Sequence, residues 1–150
     1  MTYTANFNNP ISLAINYASI LTNPSNALSQ DTEIRITCPV DKTITILNPD
    51  NQLLIDTNYD GVFESGVTQF SSFEIRFRLN NNIALTPENS TFSIKANLIS
   101  TIAISNTNLT DSNTSRVALR LIATCVPKDS DGDGIPDQND YDSDNDSIPD

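Results

Sequence analysis

Apolar and polar residues alternate along much of the chain, which is the pattern of β-strands that bury one face. The clearest run is FEIRFRL over residues 73–79, where Phe73, Ile75, Phe77 and Leu79 alternate with charged residues. The stretches EIRITC, TFSIKANL and VALRLIATC alternate in the same way. Their predicted inward positions are Ile34, Ile36, Cys38, Phe92, Ile94, Ala96, Leu98, Val117, Leu119, Leu121, Ala123 and Cys125. Shorter runs, TITIL and QLLID, lie between turn signals such as LNPDNQ.

About seven short strands without a sustained helical period predict an all-β fold, an antiparallel β-sandwich of the Ig-like kind. Residues 10–22, PISLAINYASILT, fit a strand or a short helix, and the strand is the preferred interpretation. Alternation stops at Cys125, and Pro127 cannot donate to a strand ladder. We therefore expect a β-sandwich module over residues 1–127 and a separate segment over residues 128–150.

Composition shows where the charge lies. Asn, Ser and Thr fill 51 of 150 positions and the apolar set makes up 37%, so the core is modest. Residues 129–150 hold nine Asp and no base, whereas residues 1–128 hold ten acids and eight scattered bases. This balance argues against nucleic acid and against an anionic membrane surface as partners.

The chain ends carry little information on export. No run reaches the length of a membrane span, and the first residues lack the pattern of a signal peptide. Met1 is compatible with the start of an excised module. Because the chain stops within an acidic repeat, we expect the natural polypeptide to continue beyond Asp150.

The two cysteines, Cys38 and Cys125, each end a predicted strand and share parity with its inward residues. A bridge between them would close nearly the whole sandwich and stabilise it by about 4–5 kcal/mol in the chain-entropy model. Two buried free thiols are the alternative. Because the chain has no His and no further Cys, a zinc site of the usual kind is excluded.

The acidic segment fits a calcium loop. Calcium takes about six to eight oxygen ligands, and an EF-hand-type loop supplies them from positions 1, 3, 5, 7, 9 and 12, with Gly at position 6. DSDGDGIPDQND places Gly134 at the turn and fills every ligand position, with Asp129, Asp131, Asp133, the carbonyl of Ile135, Asp137 and Asp140.

The pattern repeats 13 residues later, where DSDNDSIPD agrees with DSDGDGIPD at seven of nine positions. Ser147 replaces the turn glycine in this copy. Its ligands would be Asp142, Asp144, Asp146, the carbonyl of Ile148 and Asp150. The alternative for the whole segment is a solvated, disordered acidic tail.

A weaker calcium candidate lies in the body, in DTNYDGVFE. Gly61 stands at position 6, and Val67 at position 12 leaves the closing ligand missing. The ligands would be Asp56, Asn58, Asp60, the carbonyl of Val62 and Glu64. A hairpin turn that uses Asp-Gly is the preferred interpretation.

Residues 129–150 resemble thrombospondin type 3 repeats, in particular the DSDGDGIPD versions of large secreted bacterial surface proteins. The resemblance implies that these Asp residues bind calcium in a rod-like segment. Unlike the animal repeats, this segment contains no cysteine. Residues 37–150, from the end of EIRITC to the acidic repeats, resemble modules of the giant cell-surface adhesins of Bacteroidetes, including the gliding-motility adhesins. That resemblance implies type IX secretion, a cell-surface filament and use as one link in a long array.

Catalysis is not expected. The absence of His removes the Ser-His-Asp and Cys-His systems and His-based metal catalysis. Glu33, Glu64, Glu74 and Glu88 are nominal candidates for a carboxylate pair, but none stands in a motif.

The sequence therefore predicts a non-catalytic structural or adhesive module of an extracellular bacterial adhesin, with Ca²⁺ stiffening its link to neighbouring modules. The alternative is a calcium-dependent carbohydrate-binding module with a surface polysaccharide as partner. Sugar platforms use exposed aromatic rings, and this chain has no Trp and four Tyr.

Overall fold

A computed structural model describes residues 2–23, 32–80, 85–86, 88–108 and 114–125, with the backbone alone for residues 18–23, 108, 114–118 and 125. In this part of the chain every regular element is a strand, which confirms the all-β prediction. No helix among these residues is long and apolar enough to cross a membrane. The strands are β1 Thr2–Asn23, β2 Thr32–Thr37, β3 Ile44–Leu47, β4 Leu53–Ile55, β5 Gln69–Ser72, β6 Glu74–Leu79, β7 Ser93–Asn108 and β8 Thr114–Cys125.

The strands pair antiparallel in one sheet with two branches, and β7 and β1 run through both. The first branch has the order β4-β6-β2-β7-β1 and uses residues 101–108 of β7 and 2–6 of β1. The second branch has the order β5-β3-β7-β1-β8 and uses residues 93–96 of β7 and 11–23 of β1. The two long strands therefore join the branches.

Irregular pairing marks the place where β1 and β7 pass from one branch to the other. The register between them shifts between Asn6 and Ile11 and again between Ile11 and Leu13. Bulges bend a strand and increase its twist. On β7 the same region holds Leu98, whose φ is 53° and whose side chain is 48% exposed. The prediction that Leu98 points inward is wrong because the irregular backbone at this residue breaks the alternation.

The two branches bury a common core. Ile34, Ile36 and Phe77 from the first branch and Leu13, Ile15 and Ile94 from the second belong to one buried cluster. Phe92 links them, since its ring centroid lies 6.2 Å from that of Tyr17 and 6.5 Å from that of Phe77. Burial raises the pKa of the Tyr17 hydroxyl. The predicted inward residues Ile75, Leu79, Phe92 and Ala96 are also buried.

Two other predicted inward residues are exposed. Phe73 is 42% exposed because it lies at the corner between β5 and β6, where its carbonyl accepts a hydrogen bond from the Cys38 amide at 2.9 Å. Ala123 is exposed near the end of β8, which among the described strands pairs with β1 alone. Leu119 and Leu121 are partly buried against the core, and the side chains of Val117 and Cys125 lie outside the described part.

The outer edge of β4 is closed by an asparagine side chain. Asn48 is fully buried, and its carboxamide mimics a neighbouring peptide unit: Oδ1 accepts from the Leu53 amide at 3.0 Å, and Nδ2 donates to the Leu53 carbonyl at 2.9 Å. Nδ2 also donates to the Val67 carbonyl at 2.8 Å. Two residues further along β4, Ile55 and Glu64 exchange two backbone hydrogen bonds. Since exposed strand edges invite pairing with other chains, these contacts protect β4.

We expect Asn48→Ala to lower the free energy of unfolding by about 2–4 kcal/mol, because it leaves two buried backbone groups of Leu53 and the part-buried Val67 carbonyl without their partner. Urea denaturation followed by circular dichroism measures this. The matched control is Asn97→Ala, which removes an exposed amide with one hydrogen bond to Ser12 and is expected to change stability by less than about 0.5 kcal/mol. Equal effects of the two substitutions would show that the Asn48 carboxamide does not protect the edge.

Candidate functional site

The acidic turn, residues 56–66, is the part of the body where the sequence predicts either a calcium loop or a hairpin turn. Asp56 anchors it. Its carboxylate is fully buried and accepts backbone hydrogen bonds from Asp60 at 3.3 Å and Gly61 at 3.0 Å. Its own amide donates to the Arg76 carbonyl on β6 at 3.1 Å. The first predicted ligand is therefore the structural centre of the turn.

Asn58 and Asp60 form the tip of the acidic turn. The Asp60 amide donates to Asn58 Oδ1 at 3.2 Å, Asn58 Nδ2 donates to Asp60 Oδ2 at 3.1 Å, and the Val62 amide donates to Asp60 Oδ1 at 2.8 Å. Gly61 has a φ of 86°, a conformation that favours glycine. These local bonds reverse the chain direction within five residues of Asp56.

Glu64 closes the acidic turn against β4. Besides the backbone pair with Ile55, its carboxylate Oε2 accepts from the Thr57 amide at 3.1 Å and from the Thr57 hydroxyl at 2.7 Å. The Asp56, Asp60 and Glu64 carboxylates thus each accept hydrogen bonds from different donors. Within the described residues, no three Asp, Glu or Cys side chains converge on a point where they could hold a metal.

The geometry is that of the hydrogen-bonded turn that the sequence favours. A carboxylate has about four lone-pair sites, so these bonds do not use all of its acceptor capacity. Calcium binding by Asp56, Asn58, Asp60, Val62 and Glu64 remains a prediction.

Two aromatic rings fix the acidic turn onto β6. The Arg76 guanidinium lies 4.9 Å from the centre of the Tyr59 ring, and the Arg78 guanidinium lies 4.2 Å from that of Phe63. The Tyr59 hydroxyl donates to the Glu74 carbonyl at 2.9 Å and also bonds the Ser72 hydroxyl. Each cation–π contact stabilises by about 0.5–1 kcal/mol at an exposed site.

Sequence reasoning missed this contact pair. The sequence feature that could have indicated it is the pair of outward arginines in FEIRFRL, Arg76 and Arg78. Their contact with Tyr59 and Phe63 depends on tertiary structure, which brings the acidic turn onto β6.

Most of the nominal catalytic carboxylates have structural partners. Glu33 pairs with Arg35 at 3.1 Å, and Glu74 pairs with Arg76 at 2.8 Å and with Arg35 at 3.9 Å. These four residues form an ion-pair network on the outer face of β2 and β6, and Glu64 bonds Thr57 as described above. The remaining candidate, Glu88, is exposed in a turn.

Cys38 is a buried free thiol in this structure. Burial raises the pKa of the thiol, the Asp41 charge raises it further, and a backbone hydrogen bond partly opposes both. Low thiolate content makes such a cysteine unreactive.

The backbone places Cys125 beside Ile11 at the end of β8, and its side chain lies outside the described part. Cys38 follows β2, and in the sheet β7 and β1 lie between β2 and β8. At about 4.8 Å per strand the three steps across the strands span about 14 Å, and the register offsets the two cysteines by about six further residues along β1. A bridge therefore requires the bend between the branches to bring the two ends together. The Cys38–Cys125 disulfide remains a prediction.

The principal calcium prediction, residues 129–150, lies outside the described part of the chain. The same holds for its domain boundary, which follows the last described residue, Cys125. No protein-family model, no curated protein and no solved structure matches the chain. The likeness to thrombospondin type 3 repeats and adhesin modules therefore rests on the sequence motifs alone.

We expect Asp56→Ala to lower the free energy of unfolding by about 1–3 kcal/mol in the presence of a chelator, because two turn amides lose their acceptor. Gly61→Ala should lower it by about 1–2 kcal/mol, since a Cβ disfavours a φ of 86°. Urea denaturation measures both. Asp41→Ala, which removes an exposed acid in another turn, is the control and should change stability by less than about 0.5 kcal/mol. A neutral Asp56→Ala would show that hydrogen bonds to Asp56 do not hold the acidic turn.

Proposed function

We propose that this chain is a non-catalytic structural module of a large bacterial cell-surface adhesin or filament, and that Ca²⁺ stiffens its acidic connector, residues 128–150. The body would be an Ig-like β-sandwich, which the core shared by two sheet branches supports. The observation that carries the proposal is the order of the nine Asp residues, in two copies of one loop pattern that follow soon after the last strand.

Calcium would act by replacing the repulsion between these carboxylates with shared coordination. The first ion would be held by Asp129, Asp131, Asp133, the carbonyl of Ile135, Asp137 and Asp140, and the second by Asp142, Asp144, Asp146, the carbonyl of Ile148 and Asp150. Two divalent ions would reduce the net charge of the segment from −9 to −5. Because residues 129–150 contain few apolar residues, the ions would supply the free energy that orders the connector.

The described body supports a structural role over the carbohydrate-binding alternative. A sugar platform needs exposed rings, and of the described Tyr residues Tyr17 is buried and Tyr59 stacks on Arg76. Tyr3 is the described Tyr that remains well exposed, at 58%. The Glu74–Arg35 ion pair likewise links β6 to β2 on the outer face of the sheet.

We expect isothermal titration calorimetry to show Ca²⁺ uptake by the full chain and its loss from the first loop in Asp131→Ala/Asp133→Ala, because two of its ligands are removed. Affinity for that ion should fall by a factor of about ten or more. The control with the same charge change is Asp41→Ala/Glu88→Ala, two exposed acids of the body, and it should bind like the parent. Absence of uptake by the parent chain, or an unchanged titration of the Asp131/Asp133 variant, would refute the proposal.

Export to an oxidising compartment predicts that Cys38 and Cys125 are bridged in the natural protein. We expect no free thiol in the denatured, unreduced protein by reaction with a thiol reagent, and two after reduction. Cys38→Ser, Cys125→Ser and the double variant should then lose the same stability, about 4–5 kcal/mol in the chain-entropy model. Two titratable thiols before reduction would instead support the alternative of buried free cysteines.

A further inference from the structure

The outer face of the second branch is a broad surface built from five strands, with polar and a few apolar side chains. The register places one residue from each strand in a single row across it. In order from β5 to β8, the row is Ser71, Thr45, Lys95, Ala14 and Ile122. The residue that precedes each member of the row in sequence lies in or against the core, so the row faces outward. These preceding residues are Phe70, Ile44, Ile94, Leu13 and Leu121. We call this surface the second-branch face.

The second-branch face carries positive charge without compensation by acids in its strands. The strands β1, β3, β5, β7 and β8 contain no Asp and no Glu, but contain Lys95, Arg116 and Arg120. Lys95 and Arg120 are exposed. The first branch differs, since Arg35 on β2 and Arg76 on β6 pair with Glu33 and Glu74. In a chain with a net charge of −11, an acid-free sheet face is a marked asymmetry.

The acidic connector is complementary to this face in charge and spacing. Lys95 and Arg120 are two strands apart and offset by two residues along the strands, which corresponds to about 12 Å. In an extended chain, residues four apart are separated by about 13 Å. Asp129 and Asp133 have this separation in sequence, and so do Asp142 and Asp146.

The connector also begins close to the second-branch face. It follows β8, and Arg120 lies on β8 only five residues before Cys125. Residues 126–128 leave room for a reversal, after which the distance back to Arg120 is about 17 Å, a span of about five extended residues. A tether this short gives an effective concentration of the order of millimolar, so weak contacts suffice for docking within one molecule.

We propose that in the absence of calcium the connector of the same molecule, residues 129–150, docks on the second-branch face through Lys95 and Arg120, and that calcium releases it. The calcium-dependent part rests on the function proposed above, because the ions and the two bases compete for the same carboxylates. Contacts between exposed charges are weak and are screened by salt, so docking is reversible and sensitive to ionic strength. The face would thus hold a free connector against its own module until calcium straightens it.

Zero-length crosslinking tests the docking directly. A water-soluble carbodiimide joins a lysine amine to a carboxylate in contact with it, and mass spectrometry of the digested monomer identifies the pair. In the full chain with chelator we expect crosslinks between Lys95 and the peptide of residues 129–150. They should fall by a factor of about three or more on adding Ca²⁺ or about 0.5 M NaCl. Lys42, in the turn after β2, serves as the internal reference for random collision.

A charge reversal separates docking from mere proximity. Arg120→Glu should lower the Lys95 crosslinks by a factor of about three, whereas Lys42→Glu, with the same charge change outside the strands of the face, should leave them unchanged. Circular dichroism confirms that both variants keep the β-sheet signal. Lys95 crosslinks no more frequent than those of Lys42, or insensitive to salt and to Arg120→Glu, overturn the proposal. Crosslinks found only in dimers overturn it too, since they assign the contact to a second copy.

Calorimetry on the same samples distinguishes this proposal from the function on which it rests. Calcium uptake without Lys95 crosslinks rejects docking and leaves the calcium-stiffened connector intact. Salt-sensitive Lys95 crosslinks that calcium does not change, in a chain that takes up no calcium, support docking and reject both the calcium-dependent release and the proposed function.

Discussion

The fold depends on two strands that serve both branches of the sheet. β1 and β7 pair with each other along their length, and each contributes one half to the first branch and the other half to the second. Because a sheet with one apolar face must bury that face, the bend at residues 6–11 of β1 is what turns two open surfaces into one core. A straight β1 would leave Ile11, Leu13 and Ile15 facing water. The register shifts are therefore as necessary to stability as the buried side chains.

The sequence contained enough information for the strands that alternate regularly and too little for the places where alternation changes. β2, β6 and β8 have the predicted positions within a few residues, because their inward residues are large and apolar. β5 was missed because QFSS presents only Phe70 to the core. Residues 2–9 were missed as strand because exposed Thr and Asn obscure the period, and only the pairing with β7 identifies them. Leu98 and Phe73 were misplaced for one reason: a bulge or a corner reverses parity, and a period-two pattern cannot show it.

The acidic turn illustrates the same limit for the candidate site. Its spacing of Asp, Asn and Gly suits both calcium coordination and a turn built on backbone amides, since each needs oxygens that converge on a tight loop. The structure supplies what spacing cannot, namely Arg76 and Arg78 packed on Tyr59 and Phe63, and Thr57 bonded to Glu64. A turn fixed by its neighbours can keep its shape without an ion. The connector has the more complete ligand pattern. Apart from its prolines, its apolar and aromatic residues are only Ile135, Tyr141 and Ile148.

The two acidic segments of the chain differ in the charges that surround their carboxylates. In the body, the carboxylates neighbour arginines and backbone donors, and the net charge of residues 1–128 is only −2, from ten acids and eight bases. In residues 129–150 the same chemical groups carry −9 without a single base. In the proposed function, positive charge would order this segment, and it would have two sources: divalent ions from solution and the bases Lys95 and Arg120 of the second-branch face. Since an ion binds several carboxylates at once and a surface lysine binds one, calcium would win that competition wherever it is abundant, and the sheet face would matter where calcium is scarce.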